Sequence, residues 1–253
     1  MTYILVVLAL TIAVIIHESA HAFAMRKHGI AVKSFGIGFP IIPISLDIRI
    51  GSSTVLHIHP ILIGAYVEPV NGDDIKNLPF RHQSEIYAAG VFWNIITVAI
   101  LALVTGILNG SFPLIFILLI TAGVAVGIPY SSKYLAPLVP VFGAALVGFS
   151  VYSIISTPAG VDAPVVLGPV GIVDMLGSSS LSFFGMLYLI SFFLGTTNMI
   201  PIPPLDGGQI FTSFLKKIGV PRRVISGMSF LGIVMIIGII LFATVGDISR
   251  IFS

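Results

Sequence analysis

The sequence predicts an all-α polytopic membrane protein, with about six transmembrane helices and a membrane-associated β-hairpin region between helices one and two. Three observations lead there. Hydrophobic residues make up 57% of the 253 and charged ones only 9%, where soluble domains carry about 25% charged, and the mean hydropathy is +1.11. Six windows, near 3 to 25, 86 to 108, 112 to 130, 134 to 156, 181 to 200 and 225 to 245, hold the roughly 20 apolar residues that a bilayer crossing needs. The stretch between the first two windows alternates instead, with Leu46, Ile48 and Ile50 set against Ser45, Asp47 and Arg49, and turns at "GSS", which is the period of a strand pair.

The first helix, 3 to 28 with its polar end, is too long for a signal h-region and lacks a small-residue cleavage site, so it is expected to stay in the protein. The β-hairpin region covers 33 to 68 and is expected at or partly within the membrane, where such backbone survives only inside protein or beside a water-filled cavity. A second helix follows over 86 to 108. Pro129, Pro137 and Pro140 blur the third and fourth windows. Residues 157 to 180, "TPAGVDAPVVLGPVGIVDMLGSSS", are apolar but broken by Gly and Pro, and read as a re-entrant loop. A helix and loop fill 181 to 210, and a last helix 225 to 245, so that 1 to 253 reads as one domain.

If six helices alternate, eleven of the twelve Lys and Arg residues fall on one side, which the positive-inside rule makes cytoplasmic. The reading is therefore a multi-pass protein of the cell membrane with both termini outside. A net charge of +2 without a basic patch interleaved with aromatics argues against nucleic-acid binding. The absence of cysteine excludes disulfides, thiolate metal ligands and a cysteine nucleophile.

Within the first window stands "HESAH": His17, Glu18 and His21. Positions i and i+4 share a helix face, so both imidazoles can reach one metal while Glu18 addresses a water beside it. With six His and three Glu in the chain, chance gives this pattern in roughly 0.2% of shuffled sequences. Ionisable groups at membrane depth also carry a large insertion penalty, so the triplet reads as functional rather than as histidines satisfying a buried glutamate.

A hydrolytic zinc site takes three protein ligands and keeps one position open. Among the ten acids, Asp206 alone follows a membrane helix arriving on the side where His17 and His21 lie. It stands in "NMIPIPPLDGGQI", where prolines stop a helix and glycines let backbone come close. Taken alone, that stretch reads as a helix end and a turn.

Together these residues resemble the site-2 proteases, a family of intramembrane zinc metalloproteases. The family pattern Asn-x-x-Pro-x-Pro-x-Leu-Asp-Gly-Gly is matched at Asn198, Pro201, Pro203, Leu205, Asp206, Gly207 and Gly208. Similarity also runs through "SFGIGFP", "HPILIGAYV", "AAGVFWN" and "LGPVGIV", covers most of the chain and is weakest from about 105 to 160. Val91 departs from a usual Pro and Ala65 from a common second Gly. The chain looks like a minimal form without a PDZ-like or CBS domain.

The resemblance implies Zn2+ held by His17, His21 and Asp206, with Glu18 as general acid and base, and with Asn198 and Asn94 steadying the substrate backbone. It implies hydrolysis of peptide bonds within or near the transmembrane segments of membrane proteins, with the lipid bilayer as the working environment. The segment would unwind and add as a strand to the hairpin region. The rival is a zinc transporter or sensor using the same His, His and Asp. A metal path needs polar residues along several helices, and most windows here lack them. His57 and His59, two apart on a strand, share a face but make a poor second metal cage, and His28 and His82 read as interfacial.

Overall fold

The computed structural model of the protein describes residues 2–38, 40, 44–51, 54–62, 64–108, 169–178 and 182–251. Helix α1 spans Thr2–Lys27, about 39 Å at 1.5 Å per residue. Arg26 and Lys27 in its last turn complement the helix dipole. It stops in a Schellman motif: Ile30 N–H bonds Met25 C=O (2.9 Å), Gly29 N–H bonds Arg26 C=O (3.0 Å), and Gly29 takes the left-handed φ of +76°. Met25 and Ile30 then bury together, the apolar contact such a motif favours.

The expected hairpin region is a four-stranded mixed sheet. Strands β1 (Val32–Ile37), β2 (Leu46–Ile50), β3 (Thr54–Ile58) and β4 (Ala65–Pro69) lie in the order β2-β3-β1-β4. The β2–β3 pair is antiparallel, with Gly51 at the end of β2 in the left-handed region (φ +69°), while β1 pairs parallel with β3 and antiparallel with β4. The register sorts side chains by chemistry. Asp47, His57, Gly36 and Tyr66 stand abreast on one face, and Ile48, Leu56, Phe35 and Val67 on the other. On the polar face Lys33 and Ser34 hydrogen-bond Glu68 and hold its carboxyl below the usual range, and Ser45 and His57 do the same for Asp47. On the apolar face Val67 packs against the buried cluster of Ala20, Ala24 and Ala89.

Helix α2 (Gly72–Asn77), capped by the Asn71 side chain, leads to α3 (Phe80–Leu108). Helix α3 starts six residues before the expected 86. The extra turns are polar, which hydropathy misses, and buried Glu85 ties them to the end of α1 by Lys27 (3.2 Å) and His28 (2.9 Å), while Arg81 (3.0 Å) meets it one turn away within α3. His28 and His82 stack at 4.4 Å beside this cluster.

Helices α4 (Pro169–Ser178), α5 (Phe183–Asn198), α6 (Asp206–Lys217) and α7 (Arg222–Ile251) complete the described chain. Helix α4 falls inside the stretch read as a re-entrant loop; the rest of that stretch, and the windows 112 to 130 and 134 to 156, lie outside the described residues. Among the described helices α1, α3 and α7 are long and apolar enough to cross a membrane, whereas α5, in the window 181 to 200, has 16 residues. Ala9 and Ala13 let α1 approach Leu176 of α4 and Met186 and Ile190 of α5, the small-residue packing common between membrane helices. At that end of α1 Tyr3 donates to Asp174 (3.0 Å), and Asp247 at the far end of α7 accepts from Gly171 N–H (2.7 Å).

Candidate metal centre

One turn of α1 separates His17 from His21, so their rings share a face, with centroids 4.8 Å apart and planes at 80°. Both are buried. The third group arrives from 185 residues downstream of His21. Helix α5 ends at Asn198, and the prolines of 201–204 prevent it from continuing. The chain doubles back through Ile202 N–H to Ile200 C=O (2.8 Å) and Leu205 N–H to Ile202 C=O (3.0 Å), then starts α6 at Asp206.

Two glycines make that corner possible. A methyl at Gly207 would strike the Met199 carbonyl, and one at Gly208 the backbone of Ile202 and Pro203. The first turn of α6 therefore presses directly on the loop before it, and Asp206 sits at the helix N-terminus, where the dipole favours negative charge. Gly232 of α7 closes the corner from outside, against the Pro203 carbonyl.

Asp206 Oδ2 lies 3.1 Å from His17 Nε2 and 3.3 Å from His21 Nε2, and the two Nε2 atoms lie 3.2 Å apart. The three acceptor-type atoms thus form a nearly equilateral triangle. A tetrahedral ion with bonds of about 2.0–2.1 Å has ligand–ligand edges of roughly 3.3 Å, so a zinc-sized cation fits this set. Two further observations agree. Asp206 Oδ2 is buried, and although both imidazole nitrogens face it, neither contact has hydrogen-bond geometry. The space beside the triangle is kept clear by Gly90 of α3, where an added Cβ would come within 2.5–2.6 Å of His17 Cε1, His17 Nε2 and His21 Nε2. Among the described residues this is the one group of three such side chains able to hold a metal ion.

Around the triangle, His21 Nδ1 lies 2.7 Å from the Ile86 carbonyl, and His17 Nδ1 lies 3.2 Å from the amide of Asn94, which is 0% exposed. Glu18, half-buried, flanks the pair on the side of β4, whose Val67 packs beside Ala20 and Ala24. The structure thus brings His17, Glu18, His21, Asp206 and Asn94 into one neighbourhood. Asn198 stays with its own helix, donating to the Leu194 carbonyl (3.0 Å). His57 pairs with Asp47 (2.7 Å) and His59 meets the Tyr66 hydroxyl (3.3 Å). Sequence reasoning did not single out Gly90 or Ile86. Gly90 had a signal, standing four residues before Asn94 in "AAGVFWN", but a carbonyl leaves no mark in side-chain identity.

The family model described as Peptidase family M50 matches residues 5–242 of the chain. The chain is similar to the zinc metalloprotease RasP of Shouchella clausii, 35% identical over 97 residues, which are 34% of this chain and 22% of that one. It is similar to the regulator of sigma-W protease RasP of Bacillus subtilis, 35% identical over 92 residues, with 34% of this chain and 22% of the relative covered. A zinc metalloprotease RasP of Bacillus licheniformis is 36% identical over 92 residues with the same coverages, so the alignments span about a fifth of the length of these curated relatives.

Proposed function

The chain belongs to peptidase family M50, the site-2 protease family, and from that premise we propose that it hydrolyses peptide bonds within or near the transmembrane segments of membrane proteins, as a step of regulated intramembrane proteolysis. The observation that carries this reading is the triangle of His17, His21 and Asp206 on a membrane helix, with Glu18 at its flank. His17 Nε2, His21 Nε2 and Asp206 Oδ2 would hold Zn2+. When bound, the ion would supply an acidified water, with a pKa of about 7, and would polarise the scissile carbonyl. Glu18 takes the proton of the attacking water and returns it to the leaving amine. Asn198, one helical turn past Leu194 at the mouth of the 199–205 loop, steadies the substrate backbone.

A helical substrate segment has its carbonyls hydrogen-bonded already, so it must unwind, and an unwound backbone needs partners. The sheet has two edges, β2 and β4. Of the two, β4 is the one that lies against α1, where Val67 packs beside Ala20 and Ala24. Gly64 C=O accepts from Gly38 N–H (2.8 Å) and Val70 N–H donates to Ala31 C=O (2.9 Å), so the even-numbered residues of β4 face β1 and Ala65, Val67 and Pro69 turn their backbone outward. We place the added strand there, rather than along 44 to 50. Ala65→Pro removes an outward donor and is expected to lower cleavage by about tenfold or more with zinc content intact; unchanged cleavage would sink the β4 assignment.

The site lies towards the cytoplasmic side. Lys216 Nζ donates to the Lys76 carbonyl (2.6 Å), so the basic ends of α2 and α6 meet, and Arg26 and Lys27 close α1 at the same level as Glu85. Asp174 and Asp247 lie at the opposite end, near Tyr3. Reporters fused after Lys76 or Lys217 are expected to read cytoplasmic, and an external signal at both inverts the orientation.

The activity itself is tested by incubating purified protein with a panel of single-span membrane proteins, with and without a chelator, and sequencing the products. Chelator-sensitive cuts inside or beside apolar segments are expected. Cuts confined to segments remote from any span overturn the intramembrane reading.

A further inference from the structure

Helix α3 turns three residues, one turn apart, toward the two histidines: Ile86, Gly90 and Asn94. The Ile86 carbonyl can only accept, so His21 donates its Nδ1–H across 2.7 Å and keeps the Nε2 lone pair for the centre of the site. His17 has the same requirement, because its Nε2 is the atom 3.1 Å from Asp206 Oδ2. A lone pair on Nε2 means a proton on Nδ1, and that proton needs an acceptor on the far side of the ring. The group there is the amide of Asn94, fully buried, 3.2 Å away.

Which end of an amide is oxygen and which is nitrogen follows from the bonds it makes. With Nδ2 toward His17, the imidazole would have to accept, its own proton would move to Nε2, and that proton would point among two other ligand atoms. The other end of the amide is buried with no partner, so nothing on that side opposes the reverse orientation. We infer that Asn94 presents Oδ1 to His17 Nδ1–H and is a positioning residue that fixes the His17 tautomer, so that α3 sets the proton on both histidines of α1. The inference rests on His17 and His21 being zinc ligands.

The test is zinc affinity rather than activity. Full-length protein in detergent is titrated against a chromophoric chelator, with helix content checked for each variant. Asn94→Leu and Asn94→Ala remove the acceptor and are expected to weaken zinc binding by about 10- to 100-fold, the usual effect of losing a partner behind a ligating histidine. Asn94→Asp keeps an acceptor and is expected to stay within about threefold of wild type. Wild-type affinity in the folded Leu or Ala variant overturns the inference, as does an Asp variant as weak as Leu, because the donor end would then matter. A rise in KM with zinc affinity unchanged assigns Asn94 to substrate instead and overturns it too. In zinc-loaded wild type, His17 Nδ1–H should resist solvent exchange as long as His21 Nδ1–H does; loss faster by about tenfold also overturns it. His17→Ala separates the layers: unchanged zinc affinity there removes the metal-site reading itself, whereas weakened affinity there beside unaffected Asn94 variants removes only this inference.

Discussion

Glu18→Gln is expected to keep about one zinc per chain while turnover falls by about 10² or more, the usual contribution of a general base. The glutamine retains size and polarity, but it cannot take the proton of the attacking water. His17→Ala, His21→Ala and Asp206→Ala behave differently, because each removes one of three ligands and should lower zinc occupancy and cleavage together. The contrast also separates a protease from a carrier. A transporter built on the same His, His and Asp would show altered metal flux in Glu18→Gln and no proteolysis in any variant. The measurement is elemental zinc per chain beside product formation for all four variants. A Glu18→Gln protein that cleaves at the wild-type rate with zinc bound removes Glu18 as the base.

Gly90→Ala is expected to be nearly as damaging by a steric route. Its methyl would stand 2.5–2.6 Å from ring atoms of His17 and His21, closer than such contacts tolerate. Overpacking of this kind costs about 1–3 kcal/mol, and every 1.4 kcal/mol is about tenfold in an equilibrium. If the rings yield, they leave the triangle, and zinc binding should weaken by about 10- to 100-fold with helix content preserved. Gly238→Ala in α7 is the control, because its methyl would meet nothing within 4 Å. Full zinc occupancy in Gly90→Ala would mean that the ion does not sit beside α3.

The features legible in the sequence were those carried by runs and spacings. Helix α1 reads directly from its unbroken apolar stretch, and the His17–His21 pair from its separation of four. Asp206 was visible only through a longer pattern, because no local rule links a residue after a proline-rich corner to a helix 185 positions earlier. The sheet was half visible. Alternation and a glycine turn mark β2 and β3, but the parallel β1–β3 pairing joins segments that no local turn connects. The start of α3 was set too late because Arg81, His82, Gln83, Ser84 and Glu85 are polar, and their turn is held by the contacts of Glu85 with Lys27 and His28 at the end of α1 and with Arg81 in its own helix rather than by apolar periodicity. Asn94 carried a signal of importance, but its place behind a histidine depends on how α3 packs against α1, which only the fold supplies.

The proposed zinc ligands come from opposite ends of the chain: 189 positions separate His17 from Asp206. At about 5–20 residues per second, a ribosome takes roughly 10–40 s to make the stretch between them. For that interval α1 offers two imidazoles, short of the three ligands that a hydrolytic zinc site requires. A nascent chain crowded among other newly inserted membrane proteins therefore carries no working blade. The protease is armed by its own translation, and only after the corner before α6 has followed α1 into the membrane.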